Sequence, residues 1–464
     1  MSYNFLPYEP EQMFLLPPSL AEWVREESLA RFVSEVVDEL EGEGRLAAFY
    51  ARYRADGWGR AAYAPRMMVK VLLYGYCTGV VSSRRMAQAL EGDVAFRYLA
   101  ANQQPDFRTL SEFRKEHREA LEGLFVEILR LCREAGLVKM GRVALDGRKV
   151  AGNAALDQNR TREQLEREIG QEVARLMEEA EACDAQEDAR YGAEVRGDEL
   201  PEEMRTTTGR LARLREARAR LEERQKEAQA AQAEKIERRA EEEKRSGRKK
   251  RGRKPKAPEE VANREAKANR TDPESRILKT RRGWVQGYNA QAMADCSSQV
   301  IVAQEVTQEE NDVGQLAPML ARCEEQAGEK PEQLLADAGY WSEENARRED
   351  EGTELLIATT KDYKQRKALQ EQGPPRGRIP KHATRRERME RKLRTRRGRE
   401  AYRERGSTIE PVFGQMEMRG LSRFLLRSKA KVRLEWSLWC TTHNLLKLWR
   451  AGAGSLNQGM ATAT

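Results

Sequence analysis

Two stretches of this 464-residue chain repeat one small pattern, an apolar run followed by an aspartate with a glycine close behind. The first is Val143-Ala-Leu-Asp146-Gly147 and the second is Leu334-Leu-Ala-Asp337-Ala-Gly339. Runs this short, bounded by glycine, read as buried strands rather than helices. Aspartate is disfavoured in strands, and its burial is costly unless a cation or hydrogen bonds offset it. A third acid, Glu410, lies on a late helical stretch. Carboxylates gathered together repel one another and persist when divalent cations neutralise them, as in two-metal phosphoryl-transfer sites. Oxygen ligands suit Mg²⁺, which takes its remaining ligands from water and phosphate. Taken alone, Asp146 reads equally well as a turn aspartate capping the next segment, with Gly147 turning the chain. Asp295 and Glu435 are the nearest acids without this context.

The elements that must position these acids alternate in kind. Residues 284–292 and 299–303 read as two strands joined by a turn over 295–298. Residues 314–323 read as a helix, 354–360 as another buried strand, and Ser342 as a helix cap. With the two aspartate runs this makes an α/β mixed sheet. Ahead of it the chain reads as helical. Phe32, Val36, Val37 and Leu40 recur at helical spacing, Pro65 suits a first turn, and Gly79 suits a stop. Ser82 or Ser83 opens the next helix, which Gly92 ends, and a third short helix follows through Val94, Phe96 and Tyr98. One long helix then starts at Thr109 or Ser111 and runs past Leu131. Short helices with Arg66, Arg84, Arg85 and Arg97 outside suggest a helix-turn-helix-like DNA-binding bundle, or else a generic bundle with a solvated basic face. His117 reads as a surface or capping residue. His443, on the apolar face of a closing helix over 432–449, reads as a packed core histidine.

Charged residues make up 34% of the chain and the mean hydropathy is −0.83, too polar for a compact fold throughout. Much of this polarity falls in residues 160–268. There Leu165, Ile169, Val173 and Leu176 share one face, as do Leu211, Leu214 and Leu221, which predicts a pair of long charged helices in an antiparallel hairpin or coiled coil. The net charge of +8 is modest, but the positive charge is concentrated twice. Arg248, Lys249, Lys250, Arg251, Arg253 and Lys254 form a basic run punctuated by glycine and proline, suited to a phosphate-binding arm. Its Arg251-Gly-Arg-Lys-Pro resembles a minor-groove AT-hook with an inserted lysine. The second concentration, 361–405, ends in a basic helix over 385–403. Such clusters point to a polyanionic partner. Six scattered cysteines with no C-x-x-C pair argue against a zinc site or a disulfide framework and fit a reducing cytoplasm. Residues 1–20 lack the basic start of a signal peptide, and no apolar run reaches membrane-spanning length.

A broader likeness joins these motifs. Its carriers are Tyr63-Ala-Pro-Arg-Met-Met, Phe107-Arg-Thr-Leu-Ser-Glu-Phe-Arg, Leu145-Asp-Gly, Asn269-Arg-Thr-Asp-Pro-Glu-Ser-Arg and Gln286-Gly-Tyr-Asn-Ala-Gln. To these add Leu335-Ala-Asp-Ala-Gly-Tyr, Ile409-Glu-Pro-Val-Phe-Gly and Arg423-Phe-Leu-Leu-Arg. Together they make the chain resemble the DDE transposases of bacterial insertion sequences, most closely the IS1182 group within the IS4/IS5-like set. The resemblance implies an RNase H-like mixed-sheet catalytic core behind an all-α N-terminal DNA-binding domain. The corresponding layout is a helical domain over 1–140, the first core strand over 141–159, and a charged helical or disordered insertion with its basic arm over 160–268. The rest of the core spans 269–450, and a disordered tail spans 451–464.

The resemblance also assigns roles. Asp146, Asp337 and Glu410 are implied as ligands of Mg²⁺ or Mn²⁺, with Glu410 completing the shell or orienting the nucleophile. Water attacks the phosphodiester at each element end, and the 3′-hydroxyl released then attacks target DNA in line. Tyr402 and Arg405 match in kind the Tyr and Arg of the family's Y-R-E-K signature and would hold a terminal phosphate or a flipped base. The Arg–Glu spacing is one residue longer than usual, and Glu417 stands where the family has lysine. Glu417 either faces the DNA and weakens end binding, or turns to solvent or pairs with Arg419, Arg423 or Arg427. The implied partners are double-stranded DNA and a second copy in a synaptic homodimer, located in the bacterial cytoplasm at the nucleoid. A decayed or domesticated transposase that only binds DNA is the rival reading. Another RNase H-like nuclease, such as a junction resolvase, is a second enzymatic one.

Overall fold

The computed structural model describes residues 19–53, 62–184, 207–247, 255–262, 267–280, 283–380 and 382–452. Arg248, Lys249, Lys250, Arg251, Arg253 and Lys254 of the basic arm lie outside the described residues, as do residues 453–464.

Eight strands occur among the described residues: β1 Arg142–Ala151, β2 Asn159–Arg160, β3 Ala268–Asn269, β4 Arg276–Thr280, β5 Gly283–Asp295, β6 Ile301–Thr307, β7 Gln333–Ala336 and β8 Glu354–Ile357. Six form one mixed sheet in the order β4-β5-β1-β7-β8, with β6 also on β5. β1 is antiparallel to β5 and parallel to β7, and β7 is parallel to β8. The sequence reading overlooked β4 because Leu278 is its only fully buried residue, too thin a signal for a strand. Nor does β1 turn at Gly147. The long strand β5 supplies partners all the way to Ala151, so Gly147 pairs in line with Gln291.

The helices before β1 follow their sequence signals with two departures. Helix Pro65–Thr78 starts on its proline and stops at Gly79, which takes the left-handed conformation at φ 79°. Gly92 lies inside helix Ser83–Gly92, and Asp93 is the stop. Its carboxylate also caps helix Val94–Leu99 by accepting from the Ala95 and Phe96 amides. The expected single helix past Thr109 is two, Phe107–Glu116 and Arg118–Glu134, the first capped by Asp106. His117 occupies the break as C-cap of the first helix and N-cap of the second, the capping place the sequence suggests, but it is buried rather than on the surface. Its ring lies 4.4 Å from that of Phe113 and 5.6 Å from that of Phe49, so aromatic packing holds the kink.

The closing helix Lys429–Arg450 runs through the shared core of the helices and the sheet, burying Trp436 and Trp439. His443 on it is buried, with Nε2 2.9 Å from the Gln299 carbonyl, and burial pushes its pKa down to about 3. It is a neutral core histidine. Asn444 joins the helix to β6 by accepting from the Ile301 amide at 2.7 Å and donating to the Ile301 carbonyl at 2.8 Å.

Two further regions complete the fold. Helices Arg162–Asp184 and Thr207–Ser246 lie antiparallel, as the pairs Arg162–Glu222 and Arg210–Glu172 require. Leu165, Leu214, Ala217, Leu221 and Ala268 form their small core, separate from the main one. The β2–β3 ladder closes the base of this hairpin. The basic helix expected over 385–403 is instead broken at Thr395 into Arg385–Arg394 and Arg396–Met418. The second of these continues through Pro411, whose missing N–H leaves the Ser407 carbonyl without its helical partner. Gln299 Nε2 donates to that carbonyl at 3.0 Å and fills the place.

Candidate active site

Asp146 and Asp337 meet because of strand register. The parallel β1–β7 ladder ends on the rung Leu145↔Ala336; Asp146 is the next residue of β1, and Asp337 is the first residue beyond β7. Adjacent strands lie about 4.8 Å apart, so the two carboxylates leave the sheet at one level as neighbours. Asp337 Oδ1 accepts from the Gly339 amide at 2.7 Å, and Asp146 Oδ1 accepts from the Gly147 amide at 2.9 Å. Alternation along β1 places Asp146 and Arg148 on the face that helix Arg396–Met418 covers. There Arg405 Nη1 donates to Asp146 Oδ2 at 2.9 Å. Burial pushes the Asp146 carboxyl up to about 6; the Arg405 guanidinium pulls against this and the Asp337 carboxylate adds to it.

Gly147 serves the site from the other face. A Cβ there would lie 2.2 Å from Gln291 Nε2, 2.6 Å from Asp312 Oδ1 and 2.9 Å from Asn289 Oδ1. Asp312 is held by Asn289 Nδ2 at 2.7 Å and Gln291 Nε2 at 2.9 Å, and Tyr340 donates its hydroxyl to Gln291 Oε1. Burial, reinforced by Asp312, Asp146 and Asp337, holds the Tyr340 hydroxyl well above its usual pKa, so it remains a donor. Asn289 Oδ1 is buried with no hydrogen-bond partner. Sequence reasoning assigned this polar floor no role. Its signal was present, since Asn289 and Gln291 alternate with apolar residues in a central strand. Asp312 lies in a Glu-Glu-Asn-Asp run to which sequence reasoning gave no reading.

Glu410 is placed differently. It lies on helix Arg396–Met418 with its side chain 67% exposed, and Arg405 Nη2 reaches its Oε1 at 3.5 Å. Arg405 itself is only 15% exposed. Five residues separate the two, a net rotation of about 140° around a helix, so the guanidinium faces the sheet while the glutamate faces outward. The donors gathered here are oxygens, which suit a hard divalent cation, and Asp146 and Asp337 fit that role as a pair. Among the described residues no three Asp, Glu, His or Cys side chains converge closely enough to hold one ion. Glu410 is held off from the pair by the arginine between them.

The remaining sequence candidates are dispersed. Glu417 pairs with none of Arg419, Arg423 and Arg427; its partner is Arg148, which also lies 5.8 Å over the Phe413 ring. Tyr402 is half-buried beside Arg399, Arg394 and Thr360 on a cavity of about 230 Å³. Arg66 pairs with Asp38 at 3.5 Å, Arg84 sits 5.1 Å over the Phe107 ring, and Arg85 is exposed on the same helix as Arg84. Asp295 and Glu435 are structural. Asp295 accepts from the Lys139, Met140 and Ser297 amides, and Glu435 accepts from those of Leu425 and Leu426.

Two family models match the chain. One, described as Transposase domain (DUF772), covers residues 18–116, and the other, Transposase DDE domain, covers residues 256–445. Asp337 and Glu410 fall inside the second span, and Asp146 falls in neither. No curated protein and no solved structure matches the chain. Among the described residues no helix is long and apolar enough to cross a membrane.

Proposed function

Because the chain belongs to the DDE transposases of insertion sequences, we propose that it binds the terminal inverted repeats of its element, cleaves them, and joins the released 3′-hydroxyl ends to target DNA. The observation that carries this reading is the adjacency of Asp146 and Asp337 at the end of the β1–β7 ladder, beside a helix bearing Glu410. The mixed sheet with this acid placement is what we read as an RNase H-like core.

In this reading Asp146 and Asp337 hold Mg²⁺ or Mn²⁺, and Glu410 completes the set. When bound, the cation supplies charge neutralisation and acidifies water at the scissile phosphate. The chain does the rest. Asp146 and Asp337 are fixed by strand register, so they need no reorganisation when substrate arrives. Tyr340 and the amides of Asn289 and Gln291 brace the floor beneath them. Glu410 orients the attacking water, and later the attacking 3′-hydroxyl. Tyr402 and Arg405 contact a phosphate or base at the element end. Arg66, Arg84 and Arg85 hold duplex phosphates, as do Arg248, Lys249, Lys250, Arg251, Arg253 and Lys254. Two element ends must react together, which calls for a homodimer.

The test is strand transfer. Purified protein, end-bearing duplexes and a supercoiled target plasmid in Mg²⁺ should yield end–target joints. Cleavage without joining would favour a nuclease of the resolvase type. A second reading, a decayed transposase kept for DNA binding, draws on one observation, the separation of Glu410 from the aspartates. Tight end binding with neither cleavage nor joining would support it.

A further inference from the structure

The guanidinium of Arg405 stands where a cation would serve the three acids best. It touches Asp146 Oδ2 at 2.9 Å and Glu410 Oε1 at 3.5 Å, and it is the more buried partner in both contacts. Asp337 lies beside Asp146 at the end of the shared ladder. The position between the sheet acids and the helix acid is thus already filled by a positive charge. A divalent ion and this guanidinium compete for Asp146 Oδ2, because like charges at such range repel. Room for the exchange is built in. Gly406 lies one turn before Glu410, and a Cβ there would meet only Glu410, with Oε1 at 3.7 Å. Glu410 itself is tethered by one long contact and is otherwise free to swing inward.

Resting on the catalytic reading above, we propose that Arg405 is an exchangeable counter-ion. It neutralises the acid cluster in the cation-free protein, and divalent cation takes its place at Asp146. The displaced guanidinium is then the group that meets a DNA phosphate. Cation binding therefore creates a phosphate-binding arginine next to the reacting centre. Arginine suits both roles, since its planar fork binds carboxylate and phosphate alike. Cation and DNA must then bind cooperatively, each favouring the state in which Arg405 has left Asp146.

The experiment is a Mn²⁺ titration of the full-length protein, without DNA, followed through the paramagnetic resonance signal of free Mn²⁺. Removing the competitor should strengthen binding, so Arg405→Gln should tighten Mn²⁺ by about tenfold, within the usual range of coupling between sites. Arg405→Met, the second uncharged variant, should do the same, and Arg405→Lys should stay near wild type. A misfolded variant would lose affinity, so a gain cannot arise from damage. Unchanged or weaker Mn²⁺ binding in both uncharged variants overturns the proposal. Asp146→Asn and Asp337→Asn separate the two levels of inference. If they weaken Mn²⁺ binding while the Arg405 variants leave it unchanged, the cation site stands and the exchange falls. If wild type and the aspartate variants are alike, the cation site itself falls and the exchange with it. As a second readout, Ca²⁺ should tighten end-duplex binding by wild type about tenfold, and Arg405→Gln should lose that enhancement. Equal enhancement in both proteins counts against the exchange.

Discussion

The two aspartates and the glutamate reach one corner of the molecule by different routes. Asp146 and Asp337 are delivered by backbone pairing, each one residue past the last β1–β7 rung, between strands that are paired on both sides. Glu410 is delivered by a helix whose side chains decide the last few ångströms, and among the described residues its ion-pair partner is Arg405. A sheet fixes position through many cooperative bonds, so its acids are preorganised. A helix-borne acid held by one exposed contact is adjustable, and exposed ion pairs of this kind contribute at most about 1 kcal/mol. If the proposed catalytic reading holds, the difference amounts to a division of labour, in which the sheet sets where the chemistry happens and the helix decides when the site is complete.

The strongest way to break that comparison is to remove the acids. Asp146→Asn and Asp337→Asn should each lower strand transfer by at least about 10³-fold while leaving end binding within a few-fold. Glu410→Gln should cost at least about 10²-fold, read in the same assay. Near-normal transfer by any one of the three removes that residue from the site.

Glycine substitutions probe the two routes through stability. Gly147→Ala drives a methyl into Gln291 and Asp312 and should cost about 1–3 kcal/mol in denaturant unfolding. Gly406→Ala, on an open helical position, should stabilise by about 0.5–1 kcal/mol. Equal effects would show that the helix side is as tightly packed as the sheet side.

The protonation of Asp146 gives a third test, in cation-free protein. Its folded pKa, about 6, lies above the ordinary carboxyl value of 3.8, so the neutral form is the one the fold prefers. The group's contribution is fully present below about pH 4 and is lost as pH rises through 6. Asp146→Asn should therefore leave stability unchanged near pH 4 and raise it by about 1–3 kcal/mol at pH 8. A gain at pH 4 as large as that at pH 8 would mean that charge is not the cause. The smallest effect belongs to Glu417, whose pair with Arg148 is half-exposed. Glu417→Gln should change stability by less than about 1 kcal/mol. Glu417→Lys should steepen the salt dependence of end binding by about one unit only if that position faces DNA.

Much of this architecture was legible in residue order. The aspartate runs, the β5–β6 turn, the Pro65 start and the Gly79 stop all depend on local chemistry, and each stands where the sequence reading put it. What escaped depended on contacts distant in sequence. Nothing near Gly147 reveals that β5 carries partners past it, so a strand glycine was read as a turn. His117 reads as a surface or capping residue; it does stand at the cap between two helices, but Phe49 and Phe113 bury it there. Thr395 broke a basic helix because its hydroxyl caps the next one, accepting from Gly398, a choice that competed with continuation. Arg405 was read as a phosphate ligand, and its contact with Asp146 spans 259 residues of chain. Helical periodicity alone cannot supply such a partner.

The β2–β3 ladder has only two rungs, Asn159↔Asn269 and Arg160↔Ala268. Asn269 secures it, donating to the Ala155 carbonyl and accepting from the amides of Thr271 and Asp272. The two long helices leave and rejoin the chain at those two rungs, touching the sheet side through contacts such as Arg220–Glu274. The entropic cost of a longer excursion grows only logarithmically, by about 0.6 kcal/mol for each doubling. The ladder is therefore a socket. Lengthening or shortening the segment between the rungs should leave the register of the strands that carry Asp146 and Asp337 unchanged.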